Sequence, residues 1–331
     1  MTETKPRSRL VSTGRFNPDR VMTNQEMESL VDTNDEWIRS RTGIRERRIA
    51  DKETHASTMA AAASRVALER AGLEATDVDL ILLSTATPDR LLPSTACDVQ
   101  ALLGARNAGS YDFATACSGF LYGLSMADAH ITAGQAETVL VLATEKMSSI
   151  IDWTDRTTCV LFGDGAGAAV VQRANDDGRG ILSGYMKSDG TLAELLWRPG
   201  GGSRVPLDAM VLDERSHYVK MAGPEVFKSA VRAMCEAAET ALNRAGVTAE
   251  EIDLMVPHQA NMRIIEATAK YAGIPMDKVF VNVDRYGNMS SASIPVALDE
   301  AVEQGRAGPG SLVLMVAFGA GFTWAANVVR L

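Results

Sequence analysis

Short unbroken apolar runs alternate along this chain with longer segments whose apolar positions recur at helical spacing. The pattern predicts a helix near Thr54–Ala71, a strand near Asp79–Thr85 and a helix near Ser94–Leu103. A short strand near Ser110–Phe113 then feeds a helix from Cys117 to about Ala133, stopped by Gly134. Strands near Val139–Ala143 and Ala168–Val171 complete a first half. The order then repeats: a helix to Ala245, a strand at Leu254, a helix from about Asn261 and a strand near Val279–Val283. A helix from about Ser290 and strands near Leu312–Ala317 and Thr323–Val329 follow. Such alternation predicts an α/β chain with sheets covered by helices. The glycine-rich stretch Ser183–Leu212 lacks either period and reads as an inserted loop region.

The repetition extends to the residues themselves. Ala67–Leu80 reads ALERAGLEATDVDL and Ala241–Leu254 reads ALNRAGVTAEEIDL, eight of fourteen positions being identical at an offset of 174. At the same offset VLVLA from Val139 overlies VLMVA from Val313. Two matches at one offset point to a duplicated unit. Its halves are divided at the polar run Gln172–Gly180, giving residues 1–174 and 175–331.

Composition narrows the function classes. A net charge of −9 and a pI near 5.1 argue against a nucleic-acid binder, which needs a broad basic face. A local basic patch remains at Arg39, Arg41, Arg45, Arg47 and Arg48. Met1–Leu10 is polar and lacks the apolar stretch of a signal peptide, and no run approaches the length of a membrane span. The expectation is a cytoplasmic protein. Four scattered cysteines without a CxxC pair read as reduced thiols, and four equally scattered histidines make a metal site unexpected.

Three residues carry the candidate chemistry. Cys117, in Asp112–Phe120 (DFATACSGF), stands between a strand and a helix. Unpaired N–H groups and the helix dipole there favour the nucleophilic thiolate. His258, in MVPHQAN, follows an apolar strand, at the sheet edge where open α/β folds gather reactive groups. Asn288, in RYGNMSSASIP, occupies a glycine turn entering a helix. Taken singly, each also fits a structural role as a packed cysteine, a hydrogen-bonded histidine or an N-cap asparagine. The offset links them, because Cys117 overlies Ser291 and the Asn288 loop therefore mirrors the nucleophile loop. A cysteine, a histidine and an asparagine brought together suit acyl capture and oxyanion stabilisation.

The motifs ACSGF, FGDGAGAAVV, HQAN, GN-x-S-x-AS-x-P and FGAGFTW, in this order, resemble the β-ketoacyl-acyl carrier protein synthase III family of thiolase-fold condensing enzymes. The likeness runs from Asn34-Asp-Glu-Trp-Ile to the C-terminus. It implies a thiolase-like duplicated α/β/α/β/α five-layered fold, a homodimer and an acyltransferase of fatty acid biosynthesis. The implied reaction is a decarboxylative Claisen condensation of an acyl-CoA primer with malonyl-acyl carrier protein. Coenzyme A enters as the thioester substrate, and neither a cofactor nor a metal, a nucleic acid or a membrane is implied.

Residue by residue, the resemblance makes Cys117 the nucleophile and gives His258 and Asn288 the enolate oxygen. The backbone N–H groups of Cys117 and Ala320 form the oxyanion hole. Trp37 and Arg156 match a sandwich for the CoA adenine, Arg41 a phosphate contact and Asn261 a pantetheine contact. Leu92 matches a residue closing the acyl pocket across the dimer, and Phe318 flanks the oxyanion turn. Lys228 and Arg263 match positions where the acidic carrier protein docks. Gly163-Asp-Gly-Ala-Gly167 resembles a nucleotide loop, but a strand follows it, and the family uses it for packing between halves. Met289 and Leu92 replace the family's more frequent threonine and phenylalanine, which leaves the primer open. A related thiolase-fold ketosynthase of secondary metabolism, a catalytically silent dimer partner and a cysteine hydrolase are the rival readings. Retention of all three residues argues against the silent partner, and the lack of an acidic orienter beside His258 argues against the hydrolase.

Overall fold

The computed structural model describes residues 7–175 and 177–331. The start of the polar N-terminus, Met1–Pro6, and Asp176 of the boundary run lie outside the described residues. Two sheets dominate. The first places its strands in the order Ser8–Phe16, Asp164–Arg173, Thr138–Lys146, Leu80–Ser84 and Gly109–Phe113. The second runs Gly180–Ser188, Thr323–Arg330, Leu312–Gly319 and Leu254–Pro257. Read in those orders, both begin with two antiparallel pairings and continue with a parallel one. The register also obeys the repeat: Leu80 lies opposite Val139, and Leu254 opposite Val313.

Helices fill three layers around the sheets. Ala56–Ala71 and Thr95–Leu103 cover the outer face of the first sheet, and Gly223–Ala245 that of the second. Between the sheets lie Gly119–Thr132, which touches both, and Ser293–Glu303. The fold is thus α/β/α/β/α. Central strands have both faces covered, which explains their unbroken apolar runs. Leu82, Val139 and Val141 enter the middle core, whereas Ile81, Leu83, Leu140 and Leu142 enter the outer one. Gly72 and Gly246, related by the repeat, end their helices in left-handed conformations at φ 67° and 70°, a position that costs a side-chain-bearing residue strain.

Several expectations are corrected. Gly180–Ser188 is an edge strand that runs into the expected Ser183–Leu212 loop region, and Ser8–Phe16 is a second edge strand not predicted from the pattern, because each pairs on one side only and carries few core-facing residues. The strand expected at Val279–Val283 is reduced to one parallel bridge between Val279 and Met255, and Val283–Tyr286 is helical. Gln259 is responsible: its buried side chain accepts the Asn282 and Val283 N–H groups and turns the chain. The basic patch is also broken, since Arg47 is 0% exposed. Its guanidinium donates to the Met22 and Val160 carbonyls and to Asn24 Oδ1, and burial lowers its pKa to about 10. Among the described residues no helix is long and apolar enough to cross a membrane.

Candidate active site

The strand Gly109–Phe113 ends in a tight turn, and Cys117 sits in the 3₁₀ segment Ala116–Ser118 that leads into the Gly119–Thr132 helix. Ala116 is held at φ +46°, a left-handed conformation unusual for a residue with a Cβ. In the second half Ser290, at the same offset of 174, is held at φ +47° before the Ser293–Glu303 helix. The two elbows are built alike and touch. Close packing fixes them: a Cβ on Gly119 would lie 1.7 Å from Ser84 Oγ, and one on Gly319 would lie 2.6 Å from the Cys117 amide nitrogen. Only glycine lets the end of the Leu312–Gly319 strand approach the Cys117 backbone.

Cys117 is 7% exposed, and its Sγ lies 3.6 Å from Ser290 Oγ. Ser290 N–H in turn donates to Asn288 Oδ1 at 2.8 Å, so one short path joins the thiol to the asparagine. The Asn288 backbone is clamped to the first half, donating to Leu161 O at 2.8 Å and accepting from Gly163 N–H at 3.0 Å. With Oδ1 committed to Ser290, the amide presents its NH₂ as the free donor. His258 begins where the Leu254–Pro257 strand ends, its N–H donating to Val316 O at 2.8 Å. It is 3% exposed, and its Nδ1 is buried without a partner. Both histidine and cysteine therefore stand against the end of the strand Leu312–Gly319.

Electrostatics correct one expectation. Burial pushes the Cys117 thiol up to about 12, with the Ser290 hydrogen bond opposing and the Glu145 charge reinforcing the rise. A helix start alone does not leave this sulfur ionised in the free protein. Burial likewise pushes His258 down to about 3, so the imidazole is neutral near pH 7. The sign of the resulting stability term follows. The unfolded histidine takes a proton below about pH 6.5 while the folded one refuses it down to about 3. This stabilisation is complete above that upper value and is lost as the pH falls between the two. Urea midpoints of the native protein are expected to drop from pH 7 to 4.5, at up to about 1.4 kcal/mol per pH unit from this group. His258→Gln is expected to show a shallower drop; parallel curves would remove the histidine from the effect.

The other expected site residues fall at several places. Arg156 lies over Trp37, its guanidinium carbon 5.3 Å from the ring centroid, and also donates to Asp32 O at 2.8 Å. The expected adenine sandwich is closed on itself, and a purine enters only if the planes part. Asn261 caps the Met262–Ala272 helix through Arg263 N–H at 2.9 Å and donates to Arg41 O at 3.0 Å. Its amide thus ties that helix to the Arg41 segment. Phe318 is buried edge-on against Phe322, 4.6 Å between centroids, within the core. Ala320 keeps a φ outside the left-handed range, so its methyl needs no strained backbone. Leu92 is 86% exposed beside the equally exposed Leu91. Lys228 is exposed, and the exposed Arg263 stacks on Phe227, the residue before Lys228 in the chain, at 5.3 Å. Met289 is fully buried, its sulfur against Gly165, and its cluster holds Tyr286, Ala292 and Val296. Glycines 163, 165 and 167 do serve packing, meeting Tyr286, Met289 and Pro295 of the second half.

Three site residues escaped the sequence reading: Gln259, Ser290 and Glu145. Glu145 ends the apolar run VLVLATE and is fully buried. A carboxylate closing a buried strand, where the repeat has Gly319, was the available signal.

The chain is similar to known proteins over its whole length. The family described as 3-Oxoacyl-[acyl-carrier-protein (ACP)] synthase III matches residues 111–190, and its C-terminal counterpart matches residues 242–331. A Beta-ketoacyl-[acyl-carrier-protein] synthase III of Caldanaerobacter subterraneus is 50% identical over 321 residues, 97% of either chain. The crystal structure of a 3-oxoacyl-[acyl-carrier-protein] synthase III from Aquifex aeolicus superposes with a TM-score of 0.91 at 48% identity, covering 98% of this chain and 100% of that one. The priming beta-ketosynthase of the R1128 polyketide biosynthetic pathway gives a TM-score of 0.91 at 38% identity, covering 100% and 98%.

Proposed function

The chain belongs to the β-ketoacyl-acyl carrier protein synthase III family, a condensing acyltransferase that initiates fatty acid synthesis, and from that premise we propose how its residues divide the reaction. Acyl-CoA transfers its acyl group to Cys117 Sγ, and the tetrahedral oxyanion is held by the N–H groups of Cys117 and Ala320. Malonyl-acyl carrier protein follows, loses carbon dioxide, and its carbanion attacks the Cys117 thioester. The developing enolate oxygen takes hydrogen bonds from Asn288 Nδ2 and from the neutral His258 imidazole. The observation that supports this division best is the Asn288 amide: Ser290 N–H holds its oxygen, which aims the donor end at the site.

Trp37, Arg156, Arg41 and Asn261 form the proposed CoA face, with Arg156 swinging off Trp37 as the adenine enters. Phe318 borders the acyl group, and Leu92 reaches the pocket of a second copy in a homodimer. The exposure of Leu91 and Leu92 supports that placement. A cytoplasmic location agrees with four free cysteines. The secondary-metabolic reading is not favoured, because relatives named Beta-ketoacyl-[acyl-carrier-protein] synthase III share about half of this sequence, whereas the priming beta-ketosynthase of the R1128 polyketide pathway shares 38%. Mass spectrometry of the intact protein after incubation with a panel of acyl-CoAs tests the assignment. One acyl group per chain, located on Cys117, is expected; no adduct with any primer would overturn it.

Carrier docking is proposed at Lys228 and Arg263. An acidic enzyme meets an acidic partner only through a local positive face, so the contact is ionic. Charge reversal at Arg263 is expected to weaken binding of the malonyl carrier, and raised salt to imitate the loss. Binding that ignores both would move the docking face elsewhere.

A further inference from the structure

The repeat relates every residue of the site to a partner in the other half. At the offset of 174, Cys117 corresponds to Ser291, His258 to Ser84, Asn288 to Ala114 and Gly319 to Glu145. On one side Gly319, with no side chain, passes so close to Cys117 that a Cβ would lie 2.6 Å from its amide nitrogen. On the other, the Glu145 carboxylate fills the equivalent space and accepts the Ser291 N–H at 3.4 Å. The second elbow therefore holds a resident carboxylate where the proposed oxyanion of the first would form only during reaction.

That carboxylate is fully buried, and every contact to it comes from a donor. Oε2 accepts the Ala86 N–H and the Thr87 hydroxyl, both at 3.0 Å. Oε1 accepts the Ser291 hydroxyl at 2.7 Å and the Ser290 hydroxyl at 3.0 Å. Lys146, next in the strand, turns away to the Asp51 and Thr54 carbonyls. Ser290 has one hydroxyl proton and gives it to Glu145, so it meets the Cys117 thiol 3.6 Å away as an acceptor. Thiol, hydroxyl and carboxylate form one directed chain.

We propose that Glu145, acting through the Ser290 hydroxyl, accepts the thiol proton of Cys117 as the sulfur attacks. This rests on the reading of Cys117 as the acyl acceptor. The S–H bond breaks, its proton passes to Ser290 Oγ, and the proton already on Ser290 passes to Glu145. The sulfur forms its bond to the acyl carbon, the bond to the coenzyme A sulfur breaks, and the departing thiolate takes a proton back along the same path. One negative charge moves between two buried groups, and none is created. Handing the proton to His258 would instead separate charge inside the protein, and burial makes that imidazole a weak acceptor. Burial raises Glu145, against the hydrogen bonds it accepts, which brings the carboxylate nearer to accepting a proton. Glu145 is thus a positioning residue for the nucleophile and its proton.

Alkylation of the full-length protein by iodoacetamide, with Cys117 followed by peptide mass, tests the relay without any acyl-CoA. A thiol and a carboxylate sharing one proton fix the thiolate fraction between them. The native rate is therefore expected to be nearly flat between about pH 6 and 9, whereas Glu145→Gln climbs about tenfold per pH unit like a lone thiol. Ser290→Ala is expected to lower the native plateau by about 10- to 100-fold, because the thiolate loses its donor. Alanine is tolerated there, since Ala116 holds the same φ. If Glu145→Gln does not fold, Ser290→Ala decides alone. A native rate that itself climbs tenfold per unit, or a Ser290→Ala rate equal to it, overturns the relay. Acylation measured on the same samples separates the two readings: a flat profile in a protein that no acyl-CoA modifies upholds the relay and removes only the acyl-transfer assignment.

Discussion

Cys117→Ala is expected to take up no acyl group from any acyl-CoA, and condensation is expected to fall by at least about 10⁴-fold, the scale on which loss of a covalent nucleophile acts. Alternatives within the chain are poor. Cys159 and Cys235 are buried with thiols pushed up to about 11, and the exposed Cys97 lies on the first sheet's outer helix. Decarboxylation is a separate matter. It needs a donor pair for the enolate oxygen, and Asn288 and His258 remain in the variant. Cys117→Ala is therefore expected to release carbon dioxide from malonyl-carrier protein at a measurable rate. The check is intact-mass acylation beside carbon dioxide release; an acyl adduct that survives the substitution would remove Cys117 from its role.

Asn288 gives the converse result. Removing a preorganised oxyanion donor typically costs on the order of 10²–10³ in rate, so Asn288→Ala is expected to acylate at Cys117 while decarboxylation falls by that factor. Alanine also removes the acceptor of the Ser290 N–H, and a distorted elbow could produce the same loss. Asn288→Asp separates these effects. An aspartate oxygen still accepts from Ser290, but its other oxygen repels an enolate where Nδ2 would bind it. Both variants are expected to fail at decarboxylation. Wild-type carbon dioxide release from Asn288→Asp would reduce the residue to a cap of the elbow.

Much of the molecule was legible before any coordinates. The central strands announce themselves because both faces are covered, and the glycine stops at Gly72 and Gly246 mark helix ends by a conformational requirement that few other residues meet. Edge strands Ser8–Phe16 and Gly180–Ser188 did not, since one unpaired side and a partly solvated face leave no strict apolar period. Arg47 read as surface charge because no local signal distinguishes a guanidinium that donates to the Val160 carbonyl 113 residues away.

The division is sharpest at the site. The sequence by itself determined the duplicated α/β order, the elbow at Cys117, its mirror at Ser291 and the triad of residue types, because these rest on local spacing and on one constant offset. Only the tertiary structure decided their states. Burial, a property of the assembled layers, leaves His258 neutral and Cys117 protonated, against the expectation from a helix start. That Glu145 stands two hydrogen bonds from the Cys117 thiol depends on contacts across more than a hundred residues. Such contacts form where the two halves pack, and chain order alone does not encode their distances.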